Sequence, residues 1–199
     1  GWLKTKADPL TSETVQQAIS VYLLQRGFTN PHGAIVATTP QSADCHARGT
    51  GPLRTGEPVI VDIFPQSIET RYWGDCTRTV VHGDASDQVK AMHAALIAAK
   101  SAATAAVRVG ATADYVHAAT KQEIAAQGFR FERGQISDDP VMPHGTGHGI
   151  GLEVHEPILL DDNGGTLMAG EVLTVEPGLY GRTTGGVRVE DMVVVTEHK

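Results

Sequence analysis

Cysteine is scarce in this 199-residue chain, which holds only Cys45 and Cys76. Two thiols exclude a disulfide framework as the source of stability and fit a reducing, cytoplasmic compartment. Basic residues are outnumbered, 16 Lys and Arg against 23 Asp and Glu, for a net charge of −7. That balance excludes nucleic-acid binding that rests on bulk charge. No stretch approaches the roughly 18 apolar residues of a membrane span, and the opening Gly-Trp-Leu-Lys-Thr-Lys lacks the apolar core of a signal peptide, so no membrane partner is expected. Apolar side chains are not lacking. At 41% hydrophobic and 20% charged, the composition excludes a disordered chain. At roughly 150 residues per domain, the length predicts one domain. An initiating Met is missing, and the expectation is a trimmed piece of a longer protein.

What the chain does have is nine histidines, three of them within residues 144–155. Around them the periodicity predicts a helix over 11–26 stopped by Gly27, a short strand at 34–38 and a loop over 39–58 that carries His46. A hairpin follows, from Val59 into Asp62, through a turn near Ser67, and back along a strand from about Arg71 to Val81. Helices are expected over 86–107 and 112–127, with His93 and His117 on solvated or packing faces, and strands at 172–175 and 187–196. One internal repeat stands out. Gly56-Glu57-Pro58-Val59-Ile60-Val61-Asp62 and Gly170-Glu171-Val172-Leu173-Thr174-Val175-Glu176 share the pattern Gly-Glu-x-apolar-x-Val-acid. Thirteen residues after Asp62 comes Asp75, and fourteen after Glu176 comes Glu190. Each half thus offers one hairpin with two acids, and a pseudo-two-fold arrangement would converge all four.

Carboxylates placed after apolar core runs need a cation, hydrogen-bond donors or a proton. Arg78 and Arg188 would satisfy one or two acids taken singly. Four in a repeated frame point to polyvalent cations between them, because like charges so close repel strongly. His148 lies in His144-Gly145-Thr146-Gly147-His148-Gly149-Ile150-Gly151, where alternate glycines permit close backbone approach or positive φ. Several familiar motifs are missing here: no His-Glu-x-x-His helix, no Gly-Lys-Ser/Thr phosphate loop, no Gly-x-Ser-x-Gly elbow and no Cys-x-x-Cys pair. Four carboxylates and an imidazole make a hard donor set with room for two divalent ions, and two such ions about 3.5–4 Å apart activate a bridging water for hydrolysis.

These residues resemble the pita-bread metallopeptidases, peptidase family M24, which include methionine aminopeptidase, aminopeptidase P and prolidase. The matching motifs are Asp62 on a strand, Asp75-Cys76-Thr77-Arg78-Thr79, the His144–Gly151 run, Val175-Glu176-Pro177-Gly178 and Val187-Arg188-Val189-Glu190-Asp191. The resemblance implies an α+β pita-bread fold, two pseudo-symmetric halves with a curved antiparallel sheet covered by helices, and a single catalytic domain over 1–199, with trimming expected at the N-terminus first and at the C-terminus second. It implies two divalent metal ions, Mn ahead of Co, Zn or Fe, held by Asp62, Asp75, His148, Glu176 and Glu190. Asp75 and Glu190 would bridge, and Glu176 would also handle the proton of the bridging water. His155 and His46 would contact the peptide substrate, with His144, Arg188 and Tyr180 near the proline-side pocket. The implied activity is hydrolysis of N-terminal Xaa-Pro bonds by a protein that forms a homodimer in some relatives. Methionine aminopeptidase and a pita-bread non-peptidase, either a creatinase-like hydrolase or a binding protein, are the alternatives. The first two aspartates are thirteen apart where the family usually has eleven, which lengthens the turn near Pro65–Thr70 and, two being even, keeps the strand faces. His32, His82, His93, His117 and His198 are left as surface or packing residues.

Overall fold

The computed structural model describes residues 3–5 and 8–197; His198 lies outside them. Its elements are α1 (Ser12–Leu24), β1 (Phe28–Thr29), β2 (Ile35–Thr38), β3 (Pro58–Ile63), β4 (Gln66–Ser67), β5 (Cys76–Val81), α2 (Asp87–Ala106), α3 (Ala113–Ala126), β6 (Arg130–Phe131), β7 (Val141–Met142), β8 (His148–Gly149), β9 (Glu156–Leu159), β10 (Val172–Val175), β11 (Gly178–Gly181), β12 (Gly185–Arg188) and β13 (Asp191–Val194). Each helix starts where a hydroxyl is free to cap it. Thr11, Ser86 and Thr112 accept hydrogen bonds from the backbone N–H of Thr14, Val89 and Tyr115. Gly27 and Gly128, at φ 81° and 85°, end α1 and α3 in the left-handed conformation that glycine takes without strain.

Strands β2-β3-β5 form one antiparallel sheet of the first half, and the second half supplies two four-stranded sheets, β13-β10-β8-β9 and β12-β11-β7-β6. Helix α2 buries Val89, Met92, Leu96 and Ala99 at helical spacing against Met142, Leu179, Val187 and Val189. Further along, its alanines 103 and 106 pack with Val116 of α3 on Leu160, Leu173 and Val175. Small side chains let the two helices approach closely and cover both sheets. Helix α1 closes the other sheet, laying Val15 and Ile19 on Val36 and Val59. Among the described residues, no helix is long and apolar enough to cross a membrane.

Two expectations change. The run expected as one strand over 187–196 is split into β12 and β13, which belong to different sheets, with Val189 and Glu190 between them. The pair of acids in the second half is therefore not on a hairpin. β10 and β13 are neighbours, with Val175 opposite Asp191, but β11 and β12 intervene along the chain. In the first half the returning strand starts at Cys76 rather than Arg71, because residues 64–75 leave β3 to pair β4 with β1 and to donate from Trp73 N to Gly151 O at 2.8 Å.

Candidate metal centre and active-site cavity

Asp62 lies near the end of β3 opposite Thr77, and Asp75 immediately precedes β5. Glu176 follows β10, and Glu190 fills the break between β12 and β13, where its N–H donates to Thr77 O at 3.2 Å. The halves are joined at this seam, for Thr79 Oγ1 also donates to Arg188 O at 2.9 Å. One oxygen from each of Asp62, Asp75 and Glu190 lies within 4.8 Å of the others, all three residues being buried. His148 on β8 completes the group, its Nε2 standing 3.3 Å from Glu176 Oε1 and 3.9 Å from Asp75 Oδ2.

Protein cations do not balance this charge. Arg188 Nη2 lies 2.6 Å from Asp62 Oδ2, but Arg78 turns away to Asp191 Oδ1 at 2.6 Å and to the Glu190 carbonyl. Asp62 Oδ1 and Glu190 Oε1 are buried with no hydrogen-bond partner. Burial, with Asp62 and Glu176 nearby, pushes the Asp75 carboxyl up to about 8, and burial beside Glu176, Asp75 and Asp62 drives Glu190 well above the carboxylate range. Orphaned, crowded oxygens beside an imidazole fit divalent cations, which prefer such hard donors.

The sign of the resulting pH dependence follows by linkage. Asp75 binds a proton in the folded chain over the interval from its ordinary 3.8 to about 8, so the stability it contributes is lost as pH rises through that interval. His148 acts in the same direction: burial opposes its charge, but the hydrogen bond and charge of Glu176 prevail and raise its pKa. Glu176 titrates below the interval, since His148, His144 and Arg188 outweigh burial and hold it at about 2. Acidifying metal-free protein from pH 8 to 5 should therefore raise its denaturation midpoint, whereas acid should destabilise metal-loaded protein by displacing the ion. Urea titrations with and without chelator check this, and a metal-free midpoint that falls on acidification contradicts the crowding.

The glycines flanking His148 serve close approach, not positive φ. A Cβ on Gly147 would lie 2.0 Å from Thr174 O, and one on Gly149 would lie 2.4 Å from Pro157 O. The chain is thereby pressed between β10 and β9, and His148 Nδ1–H donates to Gly149 O at 3.0 Å, turning Nε2 to the carboxylates. Gly147→Ala should cost at least the ~1–3 kcal/mol of an overpacked core position, readable as a shifted denaturation midpoint at unchanged slope.

A cavity of about 560 Å³ opens over these groups, lined also by His46, His144, His155 and Arg188. His155 is exposed at its edge, its ring centroid 4.2 Å from that of His148, and partial desolvation of the ring together with the His148 charge lowers its pKa. His46 is exposed on the loop before β3. His144 donates from Nδ1 to Gly145 O at 2.7 Å, so its Nε2 accepts the Tyr180 hydroxyl at 2.8 Å. Arg188 is among the residues that line the cavity, whereas Tyr180 is not. Tyr180 is 1% exposed, and its hydroxyl also accepts from Arg188 Nη1 at 3.0 Å. Arg188 donates to Asp62, Tyr180, Thr77 Oγ1 and Cys45 O, which leaves one Nη2–H of its five donors. Asp62, Arg188, Tyr180 and His144 form one continuous chain of hydrogen bonds.

Two histidines set aside from the sequence belong near the site. His32 stacks on Trp73, centroids 5.1 Å apart, and lines the cavity. His117 is fully buried, with Nδ1 2.9 Å from Thr146 Oγ1, while Thr146 O accepts from Glu176 N at 2.8 Å. The spacing of Ala113, Val116, His117, Thr120 and Ile124 places His117 on the inner face of α3 and is the signal that would have found it. No comparable signal marks His32.

Residues 2–197 match the model of metallopeptidase family M24. The chain belongs to this metal-dependent family. The uncharacterized peptidase YqhT of Bacillus subtilis (strain 168) is 41% identical over 187 residues, covering 92% of this chain and 50% of that protein. The probable dipeptidase PepE of Mycobacterium tuberculosis (strain ATCC 25618 / H37Rv) is 34% identical over 189 residues, covering 94% and 48%. Among solved structures, dipeptidase PepE from Mycobacterium ulcerans matches with a TM-score of 0.81 at 36% identity, covering 94% of this chain and 48% of that one. The prolidase from Pyrococcus furiosus matches at 0.82 and 27%, covering 94% and 53%. The fold is thus the α+β pita-bread fold of these M24 proteins. The chain spans about half the length of the relatives it matches.

Proposed function

We propose that residues 1–199 form a catalytic unit that hydrolyses N-terminal Xaa-Pro bonds with two divalent ions, and that Asp62, Asp75, His148, Glu176 and Glu190 hold those ions. The observation that carries this reading is the convergence of buried carboxylates with unpartnered oxygens on a cavity ringed by histidines. The ions, when bound, supply Lewis acidity that activates water and polarises a carbonyl. Glu176 remains an anion to low pH and is the group placed to accept a proton. His155 is neutral near pH 7 and presents a donor to the carbonyl oxygen as it gains charge. His144, oriented by Tyr180, faces the neighbouring part of the substrate, and exposed His46 faces it from the opposite loop.

The names of the relatives, dipeptidase and prolidase, support short Xaa-Pro peptides as substrates. Manganese is the proposed native ion because the donors are mostly carboxylate oxygens. The free thiols Cys45 and Cys76 support a reducing, cytoplasmic location. The test is hydrolysis of Xaa-Pro dipeptides, longer Xaa-Pro peptides and Met-Ala peptides by Mn²⁺-loaded protein. Cleavage of the Xaa-Pro peptides, abolished by chelator and by Asp75→Ala, is expected; turnover that survives both would refute a metal centre at Asp75.

A further inference from the structure

Asp44, Cys45 and His46 form a second cluster on the loop before β3, apart from the five donors described above. One donor atom from each lies within 4.8 Å of the other two. Cys45 Sγ and His46 Nδ1 stand 3.6 Å apart. Zinc bonds of about 2.3 Å to sulfur and 2.0–2.1 Å to nitrogen, at a tetrahedral angle, also set these two atoms about 3.6 Å apart. The contact already has the length of one edge of a zinc tetrahedron.

The segment is anchored for such use. Cys45 O accepts from the buried Arg188, and Asp44 Oδ1 accepts from His46 N at 2.9 Å. A thiolate, a carboxylate and a neutral imidazole carry the two negative charges that a divalent ion balances, and sulfur selects zinc over harder ions such as manganese. The five-donor centre contains no sulfur, so the two sites differ in the metals they favour. Asp44 and His46 are exposed, whereas Cys45 and His46 line the cavity, which puts the cluster at its mouth.

We propose that Asp44, Cys45 and His46 bind a soft divalent ion such as zinc at the cavity mouth, and that the bound ion obstructs substrate entry. The thiol gives up its proton to solvent as sulfur takes the metal; the fourth position belongs to water. Obstruction, unlike binding, rests on the peptidase reading, since it withdraws His46 from the substrate.

Co²⁺ titrated into the metal-free chain is the probe, because only a thiolate ligand gives a sulfur-to-cobalt charge-transfer absorption. The band is expected in the native chain and in Cys76→Ser, and is lost in Cys45→Ser. It should require higher Co²⁺ in His46→Gln and in the surface variant Asp44→Asn, by at least the ~10-fold that loss of even an outer partner costs. Matching circular dichroism shows that each variant is folded. No band in the native chain, or a band that survives Cys45→Ser, overturns the site. In a second arm, excess Zn²⁺ inhibits Mn²⁺-loaded protein, and Cys45→Ser raises the concentration needed about tenfold or more. Equal inhibition of both overturns the obstruction. A chain that shows the cobalt band but cleaves no Xaa-Pro peptide refutes the peptidase reading and leaves the site standing.

Discussion

Glu190→Gln should abolish metal-dependent hydrolysis and at the same time raise the melting temperature of the metal-free protein. The activity loss should exceed the ~10–100-fold typical of an outer-sphere partner, because Glu190 is one of the proposed ligands. The gain in stability has a separate cause. Glu190 is 1% exposed, packed among like charges, with Oε1 unpartnered and Oε2 accepting from Thr77 Oγ1 at 2.7 Å. Burial beside Glu176, Asp75 and Asp62 penalises the charged carboxylate and holds its pKa well above the ordinary 4.5, so this group opposes folding of the metal-free chain as pH rises. A glutamine keeps the Thr77 bond and escapes that cost. Each kcal/mol gained should raise the midpoint by ~2–4 °C in a chain of this size. Thermal melts in chelator and in Mn²⁺ provide the measurement: metal should stabilise the native chain and leave the variant nearly unmoved. A variant that melts below the native chain in chelator contradicts the repulsion.

Arg188→Leu should have the opposite signature, a large loss of stability with or without metal. Its guanidinium is 3% exposed and serves Asp62, Tyr180, Thr77 and Cys45 O. Leucine fills much of the space but strands the Asp62 charge, and breaking a buried pair in this way costs about 3–5 kcal/mol. Activity should fall as well, through Asp62 and through the Tyr180–His144 bond. Arg188→Lys retains the charge without the planar fork, so it should restore part of the stability and less of the activity. Urea denaturation of the three proteins checks the order native, Lys, Leu; a leucine variant as stable as the native chain would show that Asp62 does not depend on this partner.

Much of the site was legible before any coordinates. The Gly-Glu-x-apolar-x-Val-acid repeat located Asp62 and Glu176 at equivalent strand ends, because an acid that ends an apolar run must be satisfied by something specific. Helices α1 to α3 were readable from apolar periodicity and helix-forming composition and, for α1 and α3, from glycine stops, which are local signals. What escaped depends on contacts distant in sequence. The break at Glu190 is invisible in Val187–Thr196, whose residues favour strand throughout; the chain changes sheets there because Glu190 N pairs with Thr77 O. The hairpin of β11 and β12 escaped because Gly178, Gly181, Gly185 and Gly186 carry little strand propensity. Tyr180 and Arg188 are plain in the motif, yet the hydrogen bonds that tie Tyr180 to both His144 and Arg188 arise only in the folded chain. The connection from Asp62 to Asp75 carries the β4 pairing with β1 and the Trp73 tie to Gly151.

That tie and the seam at Thr77 and Thr79 make the five donors a property of the completed chain. Asp62 and Asp75 come from the first half; His148, Glu176 and Glu190 come from the second, and neither half assembles a cage alone. An ion held by the proposed ligands would therefore reward only the fold of both halves together: its affinity would report their cooperative assembly, and a nick or fragment that separates them would forfeit the proposed centre even where each sheet survives.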